Sequence, residues 1–426
     1  MPPTIFPTGV TIYDPDKTEN CYVLFDGRDG RSYLIDMNGN EVNTWPYTGF
    51  PSEMIDPAFT GGKKGHIICQ KEPEIFSNET LLVVDWEGNI VWEWGEKAPG
   101  GKARQNHDQA PLSNGNMLIL AKRETCLPEV PDGPVNDQVI YEVNRDGNIL
   151  WTWISSEHIE ELGFTGERKG LLFSERMRPR SSIFVINDMQ PLGPNRWYER
   201  GDGRFHPDNI MIDSREGCFI AIIEKETGAI VWQLGPDYPA AYDHSAKSFS
   251  GTCPRPVDAI SGQHDAHMIP QGLPGEGNIM VFDNQGAAGI PPIYLNMFPG
   301  SRVLEIDPIG KEILWQYDAS CSGRPFWTFY SSFISSARRL PNGNTLICEG
   351  MNGRIFQVTP EGDIVWEYVN PHFGMWADHD VESGGNLSNW VFRAQPIPYG
   401  WVPDGTPRSH EPVIPPDIST FRTGSC

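Results

Sequence analysis

The chain has 426 residues, with 33 Lys and Arg against 56 Asp and Glu, a formal net charge of −23 and a pI near 4.8. So negative a balance argues against nonspecific attraction to nucleic acid or to an anionic membrane surface. Gly at 44 and Pro at 38, with no collagen-like period, together with 14 Trp and 20 Phe, exclude a disordered chain and suit short strands joined by turns.

The opening MPPTIFPTGVTIYDP has no basic stretch followed by an apolar run, and no later segment has the length of a membrane span. A cytoplasmic protein is therefore expected. The cysteines, at 21, 69, 126, 218, 253, 321, 348 and 426, show no CxxC spacing and are expected as reduced thiols.

In chain order, one hairpin recurs: SYLIDMNGNEVNTW (32–45), LLVVDWEGNIVWEW (81–94), VIYEVNRDGNILWTW (139–153), FIAIIEKETGAIVWQL (219–234), RVLEIDPIGKEILWQY (302–317) and RIFQVTPEGDIVWEY (354–368). Each reads as an apolar strand, a turn with Gly, and a second strand ending at or near Trp. The turn glycines 39, 88, 147, 228, 310 and 362 lie 49, 59, 81, 82 and 52 residues apart. A propeller blade takes about 40–50 residues. The spacing thus predicts an all-β, six-bladed β-propeller, one domain over 1–426. Insertions at about 154–204 and 235–262 are expected to form a lid over the central channel, with a C-terminal extension at about 395–426.

A second element, LSNGNMLIL (112–120), GEGNIMVFD (275–283) and LPNGNTLIC (340–348), reads as a turn entering the inner pair of a blade. The strands near GVTIYD and CYVLF and the late NWVFRA (389–394) are expected to share a blade and close the ring, which removes exposed strand edges. The hairpin tryptophans are read as blade-packing residues.

A His-Asp pair occurs three times, at His107, His264 and His379. Aligning the inner turns, with HPDN included, sets His107, His206, His264 and His379 at one end of the channel. The same alignment sets Ser335 against His107 and His264, and Arg338 against His267. Histidine, with a pKa near 6.5, suits acid–base or nucleophilic work, and neutral imidazole also suits a transition metal. Neighbouring strand residues face opposite ways, so Asp108, Asp265 and Asp380 are read as bonding turn amides or a neighbouring blade. Arg338 and Arg339 are the candidates for holding an anion, assisted by His267 and Ser335. The arginines between 168 and 204 form a candidate anion-recruiting rim.

GVTIYDPDKTENCYVLFDGRDGRSYLIDMNGNEVNTW, TGAIVWQLG, QHDAHMIP with GNIMVFDNQG, LPNGNTLICEGMNGRIFQVTPEGDIVWEY and NWVFRA together resemble the arylsulfotransferase-like family of six-bladed propellers. The resemblance implies transfer of a sulfuryl group between phenols, without a nucleotide donor, through a transiently sulfated histidine. It implies that His206 and His264 correspond to two of that family's active-site histidines. The chain departs from the family where FISSARRLPNGN carries serines in place of a nucleophilic histidine, and where VFDNQG lacks a nearby Arg.

Three readings follow. The first is group transfer or hydrolysis on a small aromatic substrate with no cofactor, using His264, His206, His107 and His379, with Arg338 on the anion. The second is a four-His metalloenzyme, a lyase, hydrolase or oxygenase holding one transition metal ion on His107, His206, His264 and His379. The third is a noncatalytic binding propeller.

Overall fold

The computed structural model describes residues 7–72, 78–131, 133–174, 182–235, 242–243, 248–249, 260–286, 288–290, 300–374 and 387–415. The repeated hairpins form the two outer strands of six antiparallel sheets, which are the blades of a β-propeller. Blade 1 holds Tyr22–Asp26, Ser32–Ile35 and Glu41–Trp45, with the late strand Ala394–Ile397 as its inner strand. The inner strands of blades 2 to 6 are Thr48–Met54, Gln105–Pro111, Ile186–Pro191, His264–Met268 and Ser336–Arg339.

Local chemistry sets the turns. In blade 2 the Asp85 carboxylate accepts the Asn89 amide at 2.8 Å, and Gly88 takes φ +83, a left-handed conformation that costs glycine little. Blade 5 departs from the expected pattern: there Lys311, at φ 51, occupies the left-handed position instead of Gly310.

Apolar faces of neighbouring blades supply the core. Leu118, Leu120 and Ile140 of blade 3 pack with Met189, Ile210 and Ile212 of blade 4, all fully buried. Each such side chain contributes about 1.5–3 kcal/mol of burial. Tryptophan Nε1 groups then lace the rim. Trp45 donates to the Asp85 carbonyl, Trp94 to Gly147, Trp153 to Gly228, Trp232 to Pro308, Trp315 to Pro360 and Trp366 to Met37, so each blade is tied to the turn of the next and the circle closes.

Ring closure differs from the expectation in one strand. CYVLF and the late strand do share blade 1, but Gly9–Tyr13 pairs with Ile364–Val369 as a fifth strand of blade 6. The late strand begins at Ala394, so 394–397 belongs to the blade and not to an extension.

The stretch 154–204 is likewise not one insertion. It contains the helix Gly166–Phe173, then the inner strand of blade 4, then the short helix Arg196–Glu199 in the turn to Ile210–Ser214. Within 235–262 the described structure includes the strand pair Tyr242–Asp243 and Ser248–Phe249. No helix among the described residues is long and apolar enough to cross a membrane.

Candidate active site

Bulges at the starts of the inner strands build the site. Pairing with the second strand slips between Thr48 and Glu53 in blade 2, between Ile186 and Asp188 in blade 4, and between His264 and His267 in blade 5. In blade 3 it slips opposite the stretch from Gln105 to Gln109. His107 (φ 70), Asp265 (φ 61), Ile334 (φ 54) and Ser335 (φ 95) hold left-handed backbone at these starts. Such strain is costly for residues with a Cβ, and a bulge re-aims the side chains beside it. Here the bulges bring four acids, Glu53, Asp108, Asp188 and Asp265, to the axis.

One guanidinium meets three of them. Arg393, just before the inner strand of blade 1, reaches across the ring to Asp108 at 2.9 Å, Asp188 at 2.5 Å and Asp265 at 3.1 Å. Arg338 of blade 6 adds a second contact to Asp265 at 2.5 Å. Burial opposes the charge on Arg393, but the three carboxylates outweigh it and hold its pKa well above the usual arginine value. Burial conversely pushes Asp188, Asp213 and Asp265 upward, with neighbouring acids adding to the effect. Asp188 Oδ2, Asp213 Oδ1 and Glu53 Oε2 are buried without a hydrogen-bond partner.

The same acids lace the blades at the axis. Asp108 accepts the Met189 amide at 2.8 Å, Asp213 the Ala266 amide at 2.9 Å and Asp265 the Ala337 amide at 3.0 Å. The expectation that Asp108 and Asp265 bond a neighbouring blade therefore holds. Asp380 lies outside the described residues.

An aromatic group adjoins the charges, with Arg393 Cζ 5.8 Å from the centre of the Phe392 ring. Phe50 and Phe392 lie 4.1 Å apart between ring centres, and the His107 ring is 5.0 Å from Phe50 and 5.9 Å from Phe392. The His264 ring centre lies 6.4 Å from that of Phe392, and Phe333 and Trp390 complete the group.

The predicted histidines do not all converge. His107 and His264 share the mouth, both near Phe392. His206 does not join them: it follows the short helix Gly203–Phe205 in the turn joining the first two strands of blade 4, at the opposite end. Its side chain is 42% exposed beside Tyr198 and Asp208. The error is one of register. The inner strand of blade 4 is INDMQP, not the stretch after HPDN, so the residues matching His107 and Asp108 are Asn187 and Asp188. His379 lies outside the described residues. The ring of four imidazoles, as drawn from sequence, is not formed. Among the described residues no group of three or more His, Cys, Asp or Glu side chains is disposed to hold a metal ion.

His264 also differs from its expected role. Its Nδ1 lies 2.8 Å from Asn284 Oδ1 and 3.1 Å from the Gly262 carbonyl, so this nitrogen donates, while Nε2 accepts the Ile334 amide at 3.1 Å. The lone pair that a nucleophile needs is occupied by a backbone N–H. Burial holds the ring neutral and pushes its pKa down to about 3. His267 donates from Nδ1 to the Asp265 carbonyl at 2.9 Å, and burial, then Arg338, hold its pKa well below the ordinary value.

The expected anion-binding residues are engaged as well. Ser335 Oγ accepts the Gly350 amide at 3.0 Å. Arg338 is matched by Asp265. Arg339 pairs with Glu305 at 2.6 Å and stacks on Trp315, away from the axis. Of the rim arginines, Arg196 and Arg200 flank Trp197 and Arg204 pairs with Asp202, in the same turn as His206, while Arg176, Arg178 and Arg180 lie outside the described residues. Glu53, Asp188 and Arg393 escaped the sequence reading, although a charged residue inside an inner-strand segment, as in FPSEM and VFRA, was a usable signal.

A six-bladed propeller whose axial mouth sets aromatic rings beside buried charge defines the class. The chain matches the family described as Arylsulfotransferase (ASST) over residues 11–367, and it belongs to that family. A search of curated proteins returned no match. Among solved structures, the chain is similar to a protein of unknown function from Bacteroides caccae, at 14% identity and TM-score 0.46, covering 89% of this chain and 99% of that one. It is also similar to the Cps50 (Swd1) β-propeller domain of Myceliophteria thermophila, at 9% identity and TM-score 0.37, covering 87% and 90%. Hydrazine synthase of Kuenenia stuttgartiensis matches at 10% identity and TM-score 0.41, covering 80% of each chain.

Proposed function

We propose that this protein transfers a sulfuryl group between phenolic oxygens at the axial mouth. The observation that carries the reading is the family match across residues 11–367. The mouth supports it. Phe333 and Trp390, partly exposed beside the buried Phe50 and Phe392, give an aromatic lining suited to a phenyl ring, and His107 stands beside it with Nδ1 hydrogen-bonded to the Asn106 side chain. We retain His107 as the imidazole of the site, and assign His264 to holding the mouth in shape.

In the reaction, the bond between sulfur and the donor's phenolic oxygen breaks and its electron pair stays on that oxygen, which takes up a proton. The acceptor phenol loses its proton as its oxygen bonds to sulfur. The test is incubation of the purified protein with 4-nitrophenyl sulfate and phenol. Nitrophenol release that quickens with added phenol, together with phenyl sulfate in the product mass spectrum, is the expected result. Absence of both from an intact, folded sample sinks the reading.

A further inference from the structure

We infer that Glu53 is the acid–base group of this transfer, giving a proton to the departing phenolic oxygen and taking one from the acceptor. This rests on the sulfuryl-transfer reading above.

The axial layer is unbalanced in charge. Among the described residues five acids at the axis, Glu53, Asp108, Asp188, Asp213 and Asp265, face two guanidiniums, those of Arg338 and Arg393. With all five acids ionised the layer would be negative, and it would repel a sulfate ester. A proton held within the layer removes part of that repulsion and supplies a donor.

Geometry says which acid holds it. Asp108 and Asp265 are engaged by Arg393, by Arg338 and by backbone amides. Asp188 is paired with Arg393 and Asp213 accepts the Ala266 amide, and both are fully buried. Glu53 differs from all four: its side chain makes no hydrogen bond or ion pair among the described residues, its Oε2 is shielded, and the residue as a whole is only partly buried. It stands on the same inner strand as Phe50, so the aromatic group and this carboxyl share one support.

The groups facing Glu53 are Asp108 of blade 3, Asp265 of blade 5, Arg338 of blade 6 and Arg393 of blade 1. Asp26, on the neighbouring strand of blade 1, is taken up by Ser32 and by the amides of Gly49 and Ser52. Burial first, then Asp108, pushes the Glu53 pKa up to about 8, against the two arginines. A carboxyl in that range is protonated at neutral pH and still exchanges its proton readily, which is the condition for working in both directions.

The proton balance is simple. In a single displacement the acceptor's oxygen bonds to sulfur as the donor's S–O bond breaks. Glu53–COOH gives its proton to the departing oxygen and takes the acceptor's O–H proton in return, so the donor leaves as a free phenol, the acceptor as its sulfate ester, and Glu53–COOH is restored.

The test compares Glu53→Gln and Glu53→Asp with wild type on two donors, 4-nitrophenyl sulfate and phenyl sulfate, across pH. A general acid matters most for the poorer leaving group. The expected result is a loss of about a hundredfold on phenyl sulfate in E53Q, less than about tenfold on 4-nitrophenyl sulfate, and partial recovery in E53D. The alkaline fall in wild-type rate near pH 8 should vanish in E53Q. Equal losses on both donors, or an unchanged alkaline limb, overturn the assignment of Glu53 while leaving sulfuryl transfer intact. No release of either phenol by wild type overturns the functional reading itself.

Discussion

At the rim, one side chain does one job in every blade: a tryptophan donates its indole N–H to a carbonyl in the next blade's turn. At the axis the same lacing is done by different residues. Asp108, Asp213 and Asp265 tie blades 3 to 4, 4 to 5 and 5 to 6, Ser336 accepts the Ala394 amide between blades 6 and 1, and Gln395 bonds both the N–H and the C=O of Met54 between blades 1 and 2. Repetition at the rim is free to persist because nothing but packing is asked of it. At the axis six strand starts converge on one small volume, where six copies of one charged residue could not be accommodated together.

Arg393→Met should carry the largest cost. It leaves Asp108, Asp188 and Asp265 without their shared cation, and the expected loss is about 3–5 kcal/mol in urea unfolding. A loss below about 1 kcal/mol would mean that the axial ion network contributes little to holding the ring.

His264→Ala comes next. It strips partners from the Ile334 amide and from Asn284, so about 2–3 kcal/mol should be lost by the same measurement. Loss of activity at unchanged stability would instead return His264 to the chemistry. The pH dependence runs the same way. The ring is neutral when folded down to about 3, but takes a proton at the ordinary 6.5 when unfolded. Its contribution is therefore complete above pH 6.5 and falls as pH drops from 6.5 toward 3. Unfolding curves of wild type and His264→Asn should diverge less at each step down that window.

Trp94→Phe removes one rim hydrogen bond and keeps an aromatic core residue, so about 1 kcal/mol is expected from the shift in unfolding midpoint. His206→Ala should change stability by no more than about 0.5 kcal/mol and leave phenol release unaltered, since its side chain is exposed at the far end. A large loss of turnover in that variant would overturn the placement of the site at the mouth.

The rim was legible in the sequence because a hairpin with period-two apolar residues, a turn glycine and a terminal Trp repeats its physics and its letters together. Blade number, hairpin positions and the packing role of the tryptophans follow from that. The axis was legible only in part. His107 and His264, matched because NHDQAP and QHDAHM carry similar letters before similar turns, both lie near the Phe392 ring. His206 was misplaced because INDMQP, the true inner strand of blade 4, lies 15 residues before His206, counting from Pro191, beyond a helix-bearing turn. Arg393 and Glu53 were passed over because their importance comes from convergence across the ring, which no local spacing encodes.

The late strand of blade 1 has a consequence for how the chain is made. Five whole blades are synthesised between Tyr22–Asp26 and its inner partner, Ala394–Ile397. Through most of synthesis that edge is open, and Asp108, Asp188 and Asp265 are already present without the arginine they share. The segment that seals the sheet delivers that arginine one residue ahead of it, so mechanical closure and charge neutralisation arrive as one event. Ribosome-held chains halted before Arg393 should accordingly stay open to protease, and chains extended past Ile397 should resist it.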